Sequence, residues 1–302
     1  MCINFKSCFS ELLSPNLRLL LRYVKHSAVT NIKLFIGARC FKWKILRAQD
    51  LSVMMKESGV CHVLGSGYSL NDSLSLIDSE KDFVIGFNFS GLAYRNSDLY
   101  FIEICNNYNV VSKAQYILWR HLCSSGKKTQ YIFKNIAERH NCIFNIDKKY
   151  GNKVLYLKDA IVGLDDVKSL NFFSKMLLCN SVLFSNQVQS ISTAITAVAL
   201  AYKIGFKKII LHGIDFSGPH FYDIVKFSDV QCELIRRIIC STKVFNYTKM
   251  HQTNLGLVTH EELLIYLKEK LLSRGVVLEA ALSDSNLGII FSQSCKRDSD
   301  SK

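Results

Sequence analysis

The segment spanning residues 190–216 constrains the fold more than any other. Residues 190–203 (SISTAITAVALAYK) are small or apolar almost throughout, with Ser192 or Thr193 near the start to cap a helix. Gly205 follows where a helix would stop, residues 207–211 (KKIIL) read as a buried strand, and the strand closes on His212, Gly213, Ile214, Asp215 and Phe216. Helix, glycine stop, strand and polar loop in that order make an α/β crossover feeding a parallel sheet.

A second such unit lies earlier. Residues 61–70 (CHVLGSGYSL) read as a buried strand entering a glycine turn at Gly65, Ser66 and Gly67, with Leu70, Leu74 and Ile77 starting the next apolar stretch. Glycine suits places where backbone approaches a phosphate, and a following helix offers free amides and a positive dipole end. Further strands are expected over 82–89, 99–104, 130–133, 142–146 and 153–157, because short apolar runs between polar stretches mark fully buried strands. A final amphipathic helix is expected over 259–273, with Leu263, Leu264, Leu267 and Leu271 on one face, then Gly275 and a last strand at 276–278.

The glycine turn reads GxGxxL, which is incomplete as a dinucleotide fingerprint. The second strand runs into Asn88, where a nicotinamide-binding fold would place an acid. A neutral amide there suits a base edge or a neutral hydroxyl, which turns the reading away from NAD. A plain structural strand–turn–helix is the bland alternative.

With 302 residues, 49% of them hydrophobic and 21% charged, the chain can bury a large core, and its two prolines (Pro15 and Pro219) mark no linker. The formal net charge of +13 calls for an anionic partner. Residues 1–50 carry nine Lys/Arg against Glu11 and Asp50. Interleaved there are Leu17, Leu19, Leu20, Leu21, Tyr23, Phe35 and Ile36, a pattern that suits a helix lying on an anionic membrane surface. A solvated basic face is the simpler alternative. No run of about 18 apolar residues occurs, and the first residues lack the long apolar core of a secretory signal. The eleven cysteines form no CxxC pair and no zinc spacing. Free thiols in a reducing compartment follow, so the expected location is cytoplasmic, peripheral to the inner membrane.

His251 lies in a polar stretch just before the final helix. Its imidazole could take a proton from a sugar hydroxyl, and Tyr222 and Tyr247 could hydrogen-bond a departing phosphate without a metal. Asp298 and Asp300 have the spacing of paired acids but lie in the solvated tail, and Asp165 with Asp166 lies in a loop with no ligand cluster nearby, so no metal ligands are assigned.

These stretches, in this order, resemble the bacterial lipooligosaccharide sialyltransferases of glycosyltransferase family 42. The family's G-N-G-P-S-L turn is similar to Gly65, Ser66, Gly67, Tyr68, Ser69 and Leu70, and its second-strand asparagine to Asn88. The T-S-G to S-G-I-D-F unit resembles Ser192, Thr193 and Ala194 through Asp215 and Phe216. Its lid tyrosines look like Tyr222 and Tyr247, its general-base histidine like His251, and its last turn like Ser283, Asp284 and Ser285.

The resemblance covers roughly residues 60–291. It implies a Rossmann-like α/β domain over 59–294 with a mostly parallel sheet and a small lid at about 217–250. A basic helical extension (1–58) would precede it and a disordered tail (295–302) would follow. It also implies metal-independent, inverting transfer of sialic acid, or a related nonulosonic acid, from its CMP ester to a surface glycan, with no cofactor beyond that donor. The donor would be bound by Gly65, Ser66, Gly67, Ser69, Asn88, Thr193, Ser283, Asp284 and Ser285, and catalysis would fall to His251, Tyr222 and Tyr247. Expected partners are the nucleotide sugar, the glycan and an anionic membrane surface, with homo-oligomerisation allowed and no nucleic acid. A motility-accessory or pterin-pyrophosphokinase-like enzyme, and a non-catalytic membrane-peripheral nucleotide-binding protein, are the alternatives.

Overall fold

The computed structural model describes residues 13–41, 44–46, 56–102, 110–124, 129–134, 154–162, 164, 166–179, 187–189, 192–216, 218–241 and 258–297. Its centre is an eight-stranded sheet in which every pairing is parallel. The strands are β1 (Ile45–Leu46), β2 (Val60–Leu64), β3 (Phe83–Phe87), β4 (Leu99–Ile102), β5 (Gln130–Phe133), β6 (Val154–Leu157), β9 (Lys208–His212) and β10 (Val277–Ala280). They stand in the order β1-β6-β5-β4-β3-β2-β9-β10. Two short strands, β7 (Asp159–Ile161) and β8 (Gln187–Gln189), pair separately, also in parallel. The chain is thus α/β and Rossmann-like, with helices on both sheet faces.

Strand alternation sorts the core into two layers. Cys61, Val63, Ile85, Phe101, Ile209 and Leu211 point to one face. There they meet α4 (Leu170–Leu177), α5 (Thr193–Ile204), α8 (His260–Leu272) and α9 (Asn286–Arg297). Leu64, Val84, Tyr100, Tyr131, Phe133 and Tyr156 point to the other. They meet α3 (Val110–Ser124) and α7 (Val230–Cys240), near two short helices, α2 (Leu70–Ser73) and α6 (Phe221–Ile224). Helix α5 is buried on nearly every side, which explains its small residues: Ala197, Ala199 and Ala201 let it lie close to the sheet. Gly205 closes it at φ +113°, a conformation that glycine adopts without strain.

The expected strands at 82–89, 99–104, 130–133 and 153–157 correspond to β3–β6, whereas 142–146 lies outside the described residues. The expected final helix is α8, started by a capping box in which the Thr259 hydroxyl accepts from the Glu262 amide (3.1 Å) and the Glu262 carboxylate from the Thr259 amide (2.7 Å).

Within the expected N-terminal extension, α1 runs Pro15–Phe41, and residues 1–12, 42–43 and 47–55 lie outside the described residues. The packing, however, does not divide at residue 58. Leu19 and Tyr23 enter one core layer, Leu34 enters the other, and β1 extends the main sheet by pairing with β6. At the other end α9 continues to Arg297, past the expected tail boundary at Cys295. Among the described residues no helix is long and apolar enough to cross a membrane. The described cysteines Cys40, Cys61, Cys123, Cys179, Cys232 and Cys240 are free thiols.

Candidate functional site

From β2 the chain moves outward through β3, β4, β5 and β6, while β9 and β10 lie on the other side of β2. The strand order therefore reverses at the β2/β9 pair. In open parallel α/β sheets, the crevice beyond the carboxyl ends of such a pair is where ligands bind. Beyond β2 comes the glycine turn, and beyond β9 the Gly213-Ile214-Asp215 loop.

The two loops are docked on each other. The Gly65 amide donates to the His212 carbonyl (2.8 Å) and the Gly67 amide to the Gly213 carbonyl (2.7 Å). The Ser69 amide (2.9 Å) and hydroxyl (2.8 Å) both donate to the Asp215 carboxylate, which is buried. A Cβ on Gly65 would strike the Gly213 carbonyl, and one on Gly67 would strike the Asp215 carboxylate. Gly213 has φ +58°, and its own added Cβ would lie 2.8 Å from that of Leu70. The glycines are thus required by the approach of one loop to the other, and the amides at 65, 67 and 69 are engaged by protein acceptors.

A third segment folds over this junction. The Ser66 carbonyl accepts from the Phe221 amide (3.3 Å) and faces His220 Nδ1 at 3.0 Å. The His220 side chain also accepts from the Asp223 amide at the start of α6, and the Asp223 carboxylate accepts from the His220 amide (2.8 Å). Gly67 forms an antiparallel bridge with His220, and Tyr68 sits against Gly218, which has φ +95°. Tyr68 also joins the turn after β10: its hydroxyl accepts from the Asn286 backbone, and burial together with Asp215 pushes its pKa up.

Of the sequence-predicted residues, Gly65, Ser66, Gly67 and Ser69 share the β2/β9 junction. Asn88 follows β3, Thr193 begins α5, and Ser283, Asp284 and Ser285 follow β10. All these positions lie at the carboxyl edge of the sheet, because α5 leads into parallel β9 and so starts at that edge. Asn88 is the one non-glycine residue at positive φ (54°) among the described residues. Its carbonyl accepts from the Tyr100 hydroxyl (2.6 Å), which in turn accepts from the Gly91 amide (3.1 Å). Ser285 is buried as a cap, donating to the Leu282 carbonyl (2.7 Å) and accepting from Gly288 N (3.1 Å), while Ser283 and Asp284 are exposed. Tyr222 lies in α6 at 1% exposure, stacked on His220 (4.8 Å) and edge-on to Phe89 (5.5 Å). Tyr247 and His251 lie outside the described residues.

Tyr68 and His220 belong to this edge but were not picked out from the sequence. His220 is one residue past Pro219, and only the fold-back of 218–222 brings it to Ser66. Beneath the turn lies a buried chain invisible in sequence. Asp82 Oδ2 faces His62 Nε2 (3.1 Å), His62 Nδ1 faces His212 Nε2 (2.7 Å), and His212 Nδ1 faces the Ser73 hydroxyl (2.9 Å). Burial holds the His62 pKa down, against the pull of Asp82. Burial and the neighbouring His62 push His212 down to about 3. Both imidazoles are therefore neutral at pH 7.

Away from this edge, His121, Asp229 and Cys232 have the spacing to hold a metal ion. The Arg95 guanidinium already reaches Asp229 (2.8 Å) and the Cys232 thiol (3.1 Å), so a protein cation occupies the cluster.

No family model matches the chain, and no curated protein matches it. Solved structures similar to it include sialyltransferase CstII from Campylobacter jejuni with CMP-3FNeuAc, at 17% identity over 78% of this chain and 85% of that one, TM-score 0.44. Sialyltransferase CST-II with a trisaccharide acceptor and CMP aligns at 17% identity over 76% and 84%, TM-score 0.43. The monofunctional α-2,3-sialyltransferase Cst-I from Campylobacter jejuni aligns at 16% identity over 79% and 81%, TM-score 0.44. Similarity at this level assigns neither family nor activity to the chain.

Proposed function

We propose that the protein is a glycosyltransferase that moves sialic acid, or a related nonulosonic acid, from its CMP ester to a hydroxyl of a surface glycan of the lipooligosaccharide, lipopolysaccharide or capsule type. One observation carries the reading. The two segments on which the sequence resemblance rests, the glycine turn and the Gly213-Ile214-Asp215 loop, are joined through Ser69 and Asp215 at the point where the strand order reverses.

In this reading the nucleotide lies over the carboxyl edge. Ser66, Asn88 and Thr193 line it, with Ser283 and Asp284 on the far side. Gly65, Gly67, Ser69 and Ser285 act by holding the loops in place. His251 takes the proton of the acceptor hydroxyl, and the resulting oxygen attacks the anomeric carbon. The bond from that carbon to the phosphate oxygen breaks, its electron pair leaves with CMP, and the configuration inverts. Tyr247 and Tyr222 hydrogen-bond the departing phosphate. Tyr222 is buried against His220 and Phe89, so its part requires α6 to shift on binding. No metal or further cofactor takes part.

The test is transfer from CMP-sialic acid to a lipooligosaccharide acceptor in excess chelator. Activity is expected there, and His251→Ala should lower it about 10²–10⁴-fold with CMP binding retained. Undiminished transfer by the variant removes His251 from the mechanism. Turnover only with ATP and a divalent cation would replace this reading by the pyrophosphokinase-like one, and nucleotide binding without turnover by the non-catalytic one.

A further inference from the structure

Helix α1 presents two apolar faces, and the fold uses only one. Leu19, Tyr23 and Leu34 point inward and are buried, with Ser27 and Thr30 between them. On the opposite side Leu17, Leu21, Val24, Ile32 and Phe35 recur at helical spacing and stay exposed, Ile32 at 61% and Phe35 at 60%. Ala28 is exposed on the same line, so the stripe is continuous along a helix of 27 residues, which at 1.5 Å per residue is roughly 40 Å long. Continuous exposed apolar surface of this kind marks a contact face rather than scattered surface residues.

Charge identifies what the face fits. The helix contains Arg18, Arg22, Lys25, Lys33 and Arg39 and no acidic residue. At about 100° per residue, Lys25 and Arg39 are exposed beside the stripe, Arg39 with its guanidinium 5.0 Å from the Phe35 ring, whereas Arg18 turns to the Leu13 carbonyl (3.1 Å) and the Asp166 carboxylate (4.0 Å), and Arg22 and Lys33 are half-buried. A symmetric contact between two copies would set the exposed cations against themselves. A surface with an apolar interior and anionic headgroups satisfies both features at once.

We infer that α1 docks the protein on an anionic lipid surface through Leu17, Leu21, Val24, Ile32 and Phe35, with Lys25 and Arg39 at the headgroups. The helix lies flat, since its inner side is fixed to the core, and it carries the body with it. The sequence pattern alone included Leu19 and Tyr23 among the lipid-facing residues, and the structure removes both. The inference is independent of the donor chemistry proposed above.

Flotation of the full chain with vesicles tests it. Vesicles of phosphatidylcholine and phosphatidylglycerol in a 3:1 ratio, by the roughly 1 kcal/mol each basic residue contributes at an anionic surface, should bind it, with binding falling as salt is raised. Pure phosphatidylcholine should bind at least about tenfold less. The double variant Ile32→Asp/Phe35→Asp should lose at least about tenfold in partitioning, and Lys25→Glu should lose several-fold. Both should keep the wild-type melting temperature, because these side chains are exposed. Three results would overturn the inference: no binding to the anionic vesicles, equal binding to both vesicle types, or unchanged binding by the double variant. A dimer in sedimentation that Ile32→Asp/Phe35→Asp dissolves would assign the face to a second copy instead.

Discussion

Gly67 and Asp215 are packed so closely that the space a Cβ would need at residue 67 is filled by the Asp215 carboxylate. The same carboxylate holds the amide and hydroxyl of Ser69. Two loops separated by about 150 residues in the chain thereby become one rigid junction at the β2/β9 switch point.

Gly67→Ala is therefore expected to force the two loops apart. Overpacking of this kind costs about 1–3 kcal/mol, read as a lower denaturant midpoint at unchanged slope. Gly59→Ala is an informative contrast: at φ +66° it is strained by its backbone conformation alone, with nothing within 4 Å of the new Cβ. Gly67→Ala should be the more damaging of the two for nucleotide binding.

Asp215→Asn keeps the shape and removes one acceptor. The buried Ser69 amide and hydroxyl then compete for a single oxygen, at about 1–3 kcal/mol. Equilibrium unfolding measures it, and Asp215→Ala should cost more by opening a cavity as well.

Much of the architecture was legible because fully buried strands leave plain apolar runs, and β2, β3, β5 and β9 fall close to where those runs predict them. The role of individual residues was less legible. Asn88 reads as a ligand side chain, yet its position is fixed by a left-handed backbone, which asparagine tolerates, and by the Tyr100 hydroxyl on its carbonyl. The faces of α1 could not be told apart, since Leu17, Leu19, Leu20 and Leu21 are apolar on successive positions around the helix. The His62–His212 contact depends on the register that sets Leu64 beside His212 and His62 beside Ile210, and no local pattern encodes it.

That histidine pair predicts a pH dependence. The folded pKa of His212 is about 3, below the ordinary value near 6.5, and that of His62 is also lowered. Between these values the unfolded chain binds protons that the folded chain does not, so stability is full above about pH 6.5 and falls as pH drops toward 3. Each such group contributes a slope of up to about 1.4 kcal/mol per pH unit. Denaturation curves at pH 7, 6, 5 and 4 should show it, and His212→Asn should flatten it.

Thr259→Ala removes the cap that starts α8, whose Leu263, Leu264, Leu267 and Leu271 are core residues. A loss of about 1 kcal/mol is expected, measurable as a drop in Tm without any change in nucleotide affinity.

The account rests on a CMP-ester site at the β2/β9 junction, and a thermal-shift comparison of CMP, UDP, GDP, ADP and NAD on the full chain tests it most directly. A ligand that binds only the folded state raises Tm by mass action. CMP is predicted to raise Tm selectively, with the rise diminished in Asp215→Ala. Stabilisation by UDP or ADP alone, or by none of the five, would contradict it.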